Sequence, residues 1–470
     1  MHTLILPWKA YMKFCVTTLI RRLLIVVLFV STASILKSQA DLVSPYSLFG
    51  VGLINPRISS WQSGMGGAGV ASFDPYRLNL SNMATLAYQL DPVFETSGKG
   101  SISTFESPEG SYDNRGFILN NLTLSAPLQR GKWGVALGLV PYSVSGYDVL
   151  SRGSDTGLDS EPVTVYSGDG GINQGFLGTG VRLLNKVDTA GNVSSLAIGG
   201  SFNFNFGTID SGRRLFFPDD NTSFGFRSNE SVLVRDYNFD LGVHYHFNLI
   251  KRTLKSPRYL KLLVGVSGST GQDLNARRTV YSFNFLGQSG ASPIDTIAFE
   301  DRVKGSIRLP ARLTGGFTFD YVGTLKARIR FSVDYSIQWW SNYSTNFSDQ
   351  ALASPLVDSK RVGAGVEYTP RVGSTTYFEL VEYRAGFFYE QSNLELRDQN
   401  IDNVGMSFGL TLPIHTRRAI TRSAFHIAGQ VGTSGTTDSG LIEENYFRMF
   451  VGFSFTPHIR NRWFVQQKYD

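Results

Sequence analysis

The stretch that decides the fold is Asp236-Tyr237-Asn238-Phe239-Asp240-Leu241-Gly242-Val243-His244-Tyr245-His246-Phe247-Asn248-Leu249. Its odd positions are all apolar or aromatic. Its even positions are Asp, Asn, Gly and His. A period of two places alternate side chains on opposite faces of a β-strand. The alternation also runs well past the roughly five or six residues of an ordinary soluble strand. Leu196–Phe206 repeats it, with Leu196, Ile198, Phe202, Phe204 and Phe206 against Ala197, Gly199, Ser201, Asn203 and Asn205. So does Ala327–Trp340, with Ile329, Phe331, Val333, Tyr335, Ile337 and Trp339 on one face. Val404–Leu412 and Phe447–Phe455 follow the same rule. A long strand that is greasy on one side and polar on the other is the unit of a membrane barrel. Such a sheet must close on itself, because an open edge would leave N–H and C=O groups unsatisfied in hydrocarbon.

Composition agrees. The chain has 470 residues, of which only 17% are charged and 13% aromatic, with 49 glycines. Typical soluble proteins carry about 25% charge and about 7% glycine. The aromatic content argues against disorder, and no 18-residue apolar run marks a transmembrane helix. The net charge of +6 is carried mainly by the first 40 residues, which hold Lys9, Lys13, Arg21, Arg22 and Lys37 and no acid. Without them, 39 basic residues face 38 acidic ones. No basic excess is left to argue for nucleic acid.

Residues 1–40 read as an export signal. Arg21-Arg22 precede the apolar run Leu23–Val30, and a small-residue stretch ends Ser38-Gln39-Ala40. That is a basic region, a short apolar region and a cleavage site. The only cysteine, Cys15, lies inside this leader. The processed chain therefore offers no disulfide, no thiolate metal site and no cysteine nucleophile.

Strands are expected near 93–105, 114–126, 132–146, 171–184, 193–208, 232–249, 258–271, 309–321, 327–343, 358–369, 374–390, 401–412, 421–434 and 444–456, fourteen in all. The connections alternate between long polar loops (147–170, 209–231, 272–308, 344–357, 391–400, 435–443) and short turns. An even strand count with short periplasmic turns and long outer loops is the outer-membrane pattern, and it puts both termini in the periplasm. Thr279–Phe285 and Thr296–Leu309 could be two further strands, giving sixteen, or an outer hairpin. Trp339-Trp340, Tyr343, Tyr321 and Tyr368 are expected in the aromatic girdles. The organisation is thus a signal peptide (1–40), an N-terminal segment (41–92), a barrel (93–456) and a periplasmic tail (457–470).

The N-terminal segment does not alternate. It contains Gly64-Met65-Gly66-Gly67-Ala68-Gly69-Val70-Ala71 and Asn79-Leu80-Ser81-Asn82-Met83-Ala84. This resembles the FadL-type outer-membrane transporters of hydrophobic compounds, whose glycine-rich stretch and Asn-Pro-Ala motif form a plug, or hatch, in the barrel lumen. Met83 stands where that family usually has proline. Leu309-Pro310 and the strand end Trp339-Trp340-Ser341-Asn342-Tyr343 look like further family motifs. The C-terminal stretches Glu444–Arg448 and Arg462–Asp470 look like the branch found alongside type IX secretion. The resemblance implies a fourteen-stranded all-β barrel, a plug and a lateral opening in the wall.

A barrel this wide needs filling. Gly64, Gly66, Gly67 and Gly69, with Asn79 and Asn82, are suited to a tightly folded hatch, since glycine reaches positive φ without strain. Phe49, Leu53, Ile54, Trp61, Met65, Phe73 and Leu86 are candidates to line an apolar ligand pocket; the plainer reading is packing. His244 and His246 share a face, but two imidazoles alone are not a metal site, and no metal or cofactor is expected. Arg328, Arg330, Asp334, Asp236, Asp240, Asp320, Arg361, Glu367, Glu382, Arg384 and Arg448 face the lumen with both signs and are expected to pair across it. No enzyme motif is present, with no G-x-S-x-G, H-E-x-x-H or P-loop. Two functions follow: passage of hydrophobic small molecules through a plugged barrel with lateral exit, or a non-transporting subunit of an outer-membrane secretion or assembly complex. The first is the one the sequence favours. The tail, with Trp463, Phe464 and Tyr469, is the candidate docking point for a membrane or periplasmic partner.

Overall fold

A computed structural model describes residues 44–153, 161–218, 220, 222–253, 258–287, 292–347, 356–414 and 422–456. Fourteen antiparallel strands close into one ring. They are β1 (Val93–Ser107), β2 (Gly110–Gln129), β3 (Trp133–Val144, continued by Tyr147–Arg152), β4 (Val163–Val187), β5 (Val193–Phe216) and β6 (Phe224–Ile250). There follow β7 (Tyr259–Ser269, continued by Gln272–Leu286), β8 (Asp295–Leu309, continued by Arg312–Val322), β9 (Arg328–Gln338) and β10 (Ser359–Thr369). The ring ends with β11 (Glu382–Leu396), β12 (Gln399–Pro413), β13 (Ala424–Gly435) and β14 (Glu443–Phe455). Each strand pairs with the next, and β14 pairs with β1, for example Phe453 opposite Thr96, so the sheet has no free outer edge strand.

The choice between fourteen and sixteen strands is settled by the breaks in β7 and β8. Residues 272–286 prolong β7 and residues 295–309 prolong β8, beyond interruptions at Thr270-Gly271 and at Pro310-Ala311. They form the upper hairpin of an existing pair. Proline explains the second break, since it has no N–H to give the ladder. Several expected loops are also partly strand. Residues 147–152 pair with 163–168, and 209–215 with 226–232. β6 runs for 27 residues, where a tilted strand crosses the hydrocarbon in about 9–11. The excess stands above the membrane on one side of the ring. The expected strand 374–390 starts later, at Glu382, after a short helix at Tyr377–Leu380, and runs on to Leu396.

Alternation has the expected sense. On β6, Tyr237, Phe239, Leu241, Val243 and Tyr245 are each 40–68% exposed, whereas Asn238, His244 and His246 are buried. The first set meets lipid and the second faces the interior. Tyr321 and Tyr368 also point outward. Trp340 does not join the girdle. With Tyr343 it turns inward, into an apolar cluster at the long-loop rim.

The inward face is notched by glycine. A Cβ on Gly386 would sit 2.3 Å from the Gly66 nitrogen, one on Gly409 2.9 Å from the Gly64 Cα, and one on Gly199 2.5 Å from the Ala84 nitrogen. Residues 44–92 fill these notches. The segment reaches strands on every side of the ring, so its backbone lies within the barrel wall rather than beside it.

Candidate functional site

The N-terminal segment and the surfaces it touches bring polar, charged and apolar groups together. Its fold depends on glycine at a few points. Gly66 and Gly67 have φ of +66° and +79°, in the left-handed region where a side chain is strained. They let the chain turn at Met65, where the Gly66 amide donates to the Ser407 hydroxyl at 2.7 Å. The two asparagines hold the turns together. Asn79 Nδ2 donates to the carbonyls of Gly69 and Ser72, both at 2.7 Å. Asn82 donates to Val70 and Val243 and accepts from the Ala84 amide, capping a short helix at Met83–Tyr88. Asn82 thus performs its capping role with methionine, rather than proline, after it.

Ion pairs tie the segment to the wall. Arg77 makes a two-pronged contact with Glu382 at 2.6 and 2.7 Å. Glu382 also meets Arg384, which pairs with Glu367 at 2.8 Å; Glu367 in turn meets Arg330 at 3.1 Å. Arg330 approaches Asp320 and, back in the segment, Asp74, both at 3.9 Å. Asp320 closes on Arg328 at 2.8 Å. This chain spans β8 to β11 and begins and ends on the segment. On the far side Arg57 pairs with Asp240 of β6 and donates to Gln174 and Asn203, its guanidinium lying 4.2 Å above the Phe176 ring. Asp334 accepts the Gly69 and Val70 amides at 2.7 Å. Most of the lumen charges therefore pair, with the segment or with a neighbouring strand, as Arg361 does with Glu390, while Asp334 and Asp236 accept amides instead.

His244 is fully hydrogen-bonded, whereas His246 makes ring contacts with Phe73 and Tyr88 and its Nδ1 is buried without a hydrogen-bond partner among the described residues. His244 bonds the Ala71 carbonyl at 2.8 Å and the Tyr88 hydroxyl at 3.0 Å, and Phe73 stacks on Tyr88 beside both imidazoles. Among the described residues no group of three His, Cys, Asp or Glu could hold a metal.

The apolar candidates disperse. Leu86 packs with Leu78, Leu80, Met83, Val140 and Phe176. Phe73 belongs to the histidine cluster. Trp61 is buried and donates to the Leu78 carbonyl, and Met65 lies against Gly365 and Gly386. Phe49, Leu53 and Ile54 pack on the cluster at the long-loop rim, where Tyr46 and Val51 of the segment meet Trp340, Phe347, Leu356, Leu394, Ile401 and Leu441. Only Leu53 and Ile54 of the seven border a cavity. It measures about 120 Å³, and Lys99, Arg361, Glu390, Glu444 and Arg448 line it together with Phe388 and Phe450. Trp463, Phe464 and Tyr469 lie outside the described residues.

The residue patterns placed no slot in the wall, although the family resemblance implies a lateral opening. β2 pairs with β1 along its whole length, but with β3 only between Leu122↔Leu139 and Gln129↔Trp133. Above Leu122 its second edge has no ladder partner. β3 there takes Leu53 and Ile54 of the segment instead, opposite Val144 and Ser143, and the Asn55 amide donates to the Tyr142 carbonyl at 2.9 Å. The 120 Å³ cavity lies behind this slot, touching Asn120 and Val144. Pro141 on β3 is the only local signal for it, because it removes one ladder donor.

With this geometry in view, the family model named BamG matches residues 19–470. The chain belongs to the BamG family. None of the curated proteins matches this BamG-family chain. Among solved structures it resembles a FadL homologue from Pseudomonas aeruginosa, with a TM-score of 0.53 and 10% identity over 86% of this chain and 99% of that one. It also resembles the deltaS2S3 mutant of the TodX monoaromatic hydrocarbon channel, with a TM-score of 0.51 and 15% identity over 85% and 99%. At such identities the likeness is one of fold: this BamG-family protein has a closed barrel of the FadL type.

Proposed function

We propose that the protein is a non-conducting subunit of an outer-membrane protein-assembly complex, with its long-loop rim facing outward and both termini in the periplasm. The observation that carries this is the apolar seal at the long-loop rim. Three of the seven segment side chains that could have formed a greasy binding pocket, Phe49, Leu53 and Ile54, are instead packed on the cluster of Trp340, Phe347, Leu356 and Leu394, and beneath them the segment is held by a buried ionic chain. What space remains is small and edged by charge, which a purely apolar ligand would leave unpaired. The family's name hints at assembly and weighs the same way. The orientation is supported by Val93 and Phe455 lying at the same, short-turn rim, as outer-membrane barrels arrange their periplasmic side.

The test is purification from native membranes in mild detergent. The expected result is stoichiometric co-purification with other barrel proteins, lost when residues 457–470 are deleted, together with a drop in several outer-membrane proteins on depletion. A protein that purifies alone, and whose loss alters only uptake of hydrophobic compounds, overturns the proposal.

One observation favours the second reading, passage of hydrophobic molecules with lateral exit. The slot between β2 and β3 opens beside the 120 Å³ cavity. On that reading Ile54→Trp, which fills the cavity, lowers uptake of a labelled hydrocarbon without unfolding the barrel.

A further inference from the structure

Just above the lipid-facing belt the outward surface changes character. On β6 the outward positions Phe239 and Tyr237 are followed by Arg235. The upper part of β7 places Asn275 and Arg277 on the same outward face, and the upper part of β8 adds Lys304. The register sets them side by side: Arg277 lies directly opposite Leu233 on one flank and Lys304 on the other. Arg235, Arg277 and Lys304 line an open groove of about 360 Å³ with Leu233 and Asn275, and no carboxylate lines it. The neighbouring acids are occupied. Asp236 accepts the backbone and side-chain amides of Asn275 at 2.9 and 2.7 Å, and Asp273 pairs with Arg308 at 3.8 Å. Among the described residues none of the three cations has an ion-pair partner.

Like charges placed directly opposite each other on paired strands destabilise a sheet. Arg277 and Lys304 occupy just such a pair, with Arg235 close by. An anion between them reverses the sign. Guanidinium groups grip phosphate oxygens in pairs, and the lysine adds a point charge. Height selects the source: Arg235 is the next outward position above the exposed Phe239 and Tyr237 of β6, where the greasy belt gives way to headgroups, and an apolar side chain, Leu233, also lines the groove.

We infer that this groove binds the phosphate groups of a phosphorylated lipid headgroup in the leaflet meeting the long-loop rim. Under the orientation proposed above, that is the outer leaflet. The protein then carries a fixed ring of bound lipid at its tall side, which sets how deep the upper hairpins stand.

The experiment uses full-length protein in phosphatidylcholine nanodiscs with and without lipopolysaccharide, read by native mass spectrometry. The wild type retains lipopolysaccharide. The triple variant Arg235→Gln/Arg277→Gln/Lys304→Gln, whose positions are exposed, keeps its heat-modifiable migration yet retains at least tenfold less. Lys326→Gln, at the short-turn rim, retains as much as wild type. Dephosphorylated lipopolysaccharide is lost from the wild type to the same degree as from the triple variant. Equal retention by the triple variant, or equal binding of the dephosphorylated lipid, overturns the inference. Displacement by millimolar inorganic phosphate also overturns it, because the site then belongs to a free anion. Labelling of a cysteine placed at Thr222 by an impermeant maleimide on intact cells tests the orientation separately.

Discussion

At the scale of single residues, the interior is decided by absent side chains as much as by present ones. Gly386 faces inward, and a Cβ there meets the Gly66 nitrogen and the Met65 carbonyl carbon at 2.3 Å. Both contacts are backbone and cannot swing away. Gly386→Val is therefore expected to cost at least the roughly 1–3 kcal/mol of an overpacked core, read as a lower temperature for losing the compact band on unheated gels. Gly315→Val, on β8 with nothing within 4 Å of an added Cβ, serves as the control. Asp74 gives a dependence on pH. Burial alone pushes its carboxyl up, but Arg77, Arg330 and the Tyr76 amide together hold it below the usual carboxylate range. A carboxyl depressed by folding adds stability above its unfolded value and loses it as pH falls through the folded one. Unfolding midpoints should thus drop on acidification through the ordinary carboxylate range and below, and Asp74→Asn should flatten that limb. An equal acid slope in the variant refutes the assignment.

At the scale of elements, the segment and the four strands β8 to β11 behave as one electrostatic unit. Removing one partner from a buried pair leaves a bare charge and costs about 3–5 kcal/mol, whereas removing both costs less. Arg77→Met should therefore destabilise strongly, and Arg77→Met/Glu382→Gln should recover part of the loss in urea-induced unfolding. If the double variant is as unstable as the sum of the single ones, the Arg77–Glu382 contact carries no coupling. The strands themselves were readable in the sequence wherever lipid lay on one side. Asp236–Leu249 and Ala327–Trp340 alternate because their outward residues must be apolar. Residues 163–170 and 208–216 were read as loop because water lies outside them, so nothing forces an alternating pattern. The fate of Phe49, Leu86 and Trp61 was not readable at all. Their apolar character says that they are covered, but not by what: Phe49 packs on the rim cluster with Trp340, Leu86 on Val140 and Phe176, and Trp61 lies apart from both, bonded to the Leu78 carbonyl. The inward glycines were equally silent, since a small residue on the wet face of a strand looks like any other polar-side position. The slot beside β2 could not be placed from the residues because pairing is a property of two strands, and only Pro141 hinted at it.

At the scale of the whole molecule, the ring is a closed wall around a filled centre. The intact protein should pass no ionic current in planar bilayers, and a variant lacking residues 44–90 should pass a steady one, measured as single-channel conductance. Large conductance from the intact chain would contradict the seal at the long-loop rim. The seam between β1 and β14 has a further consequence. Tyr46 donates its hydroxyl hydrogen bond to the Ile442 carbonyl, 396 positions later in the chain. The Gly64 and Gly66 turns rest on β11 and β12, more than 300 positions away. Contacts so distant in sequence form late and slowly. Yet residues 44–92 touch strands all round the ring, which a segment threaded late into a finished hoop would have to reach all at once. That portion of the polypeptide must therefore wait, already folded back, while the fourteen strands are laid down around it, and the last hydrogen bonds to form are those that lock the door behind it.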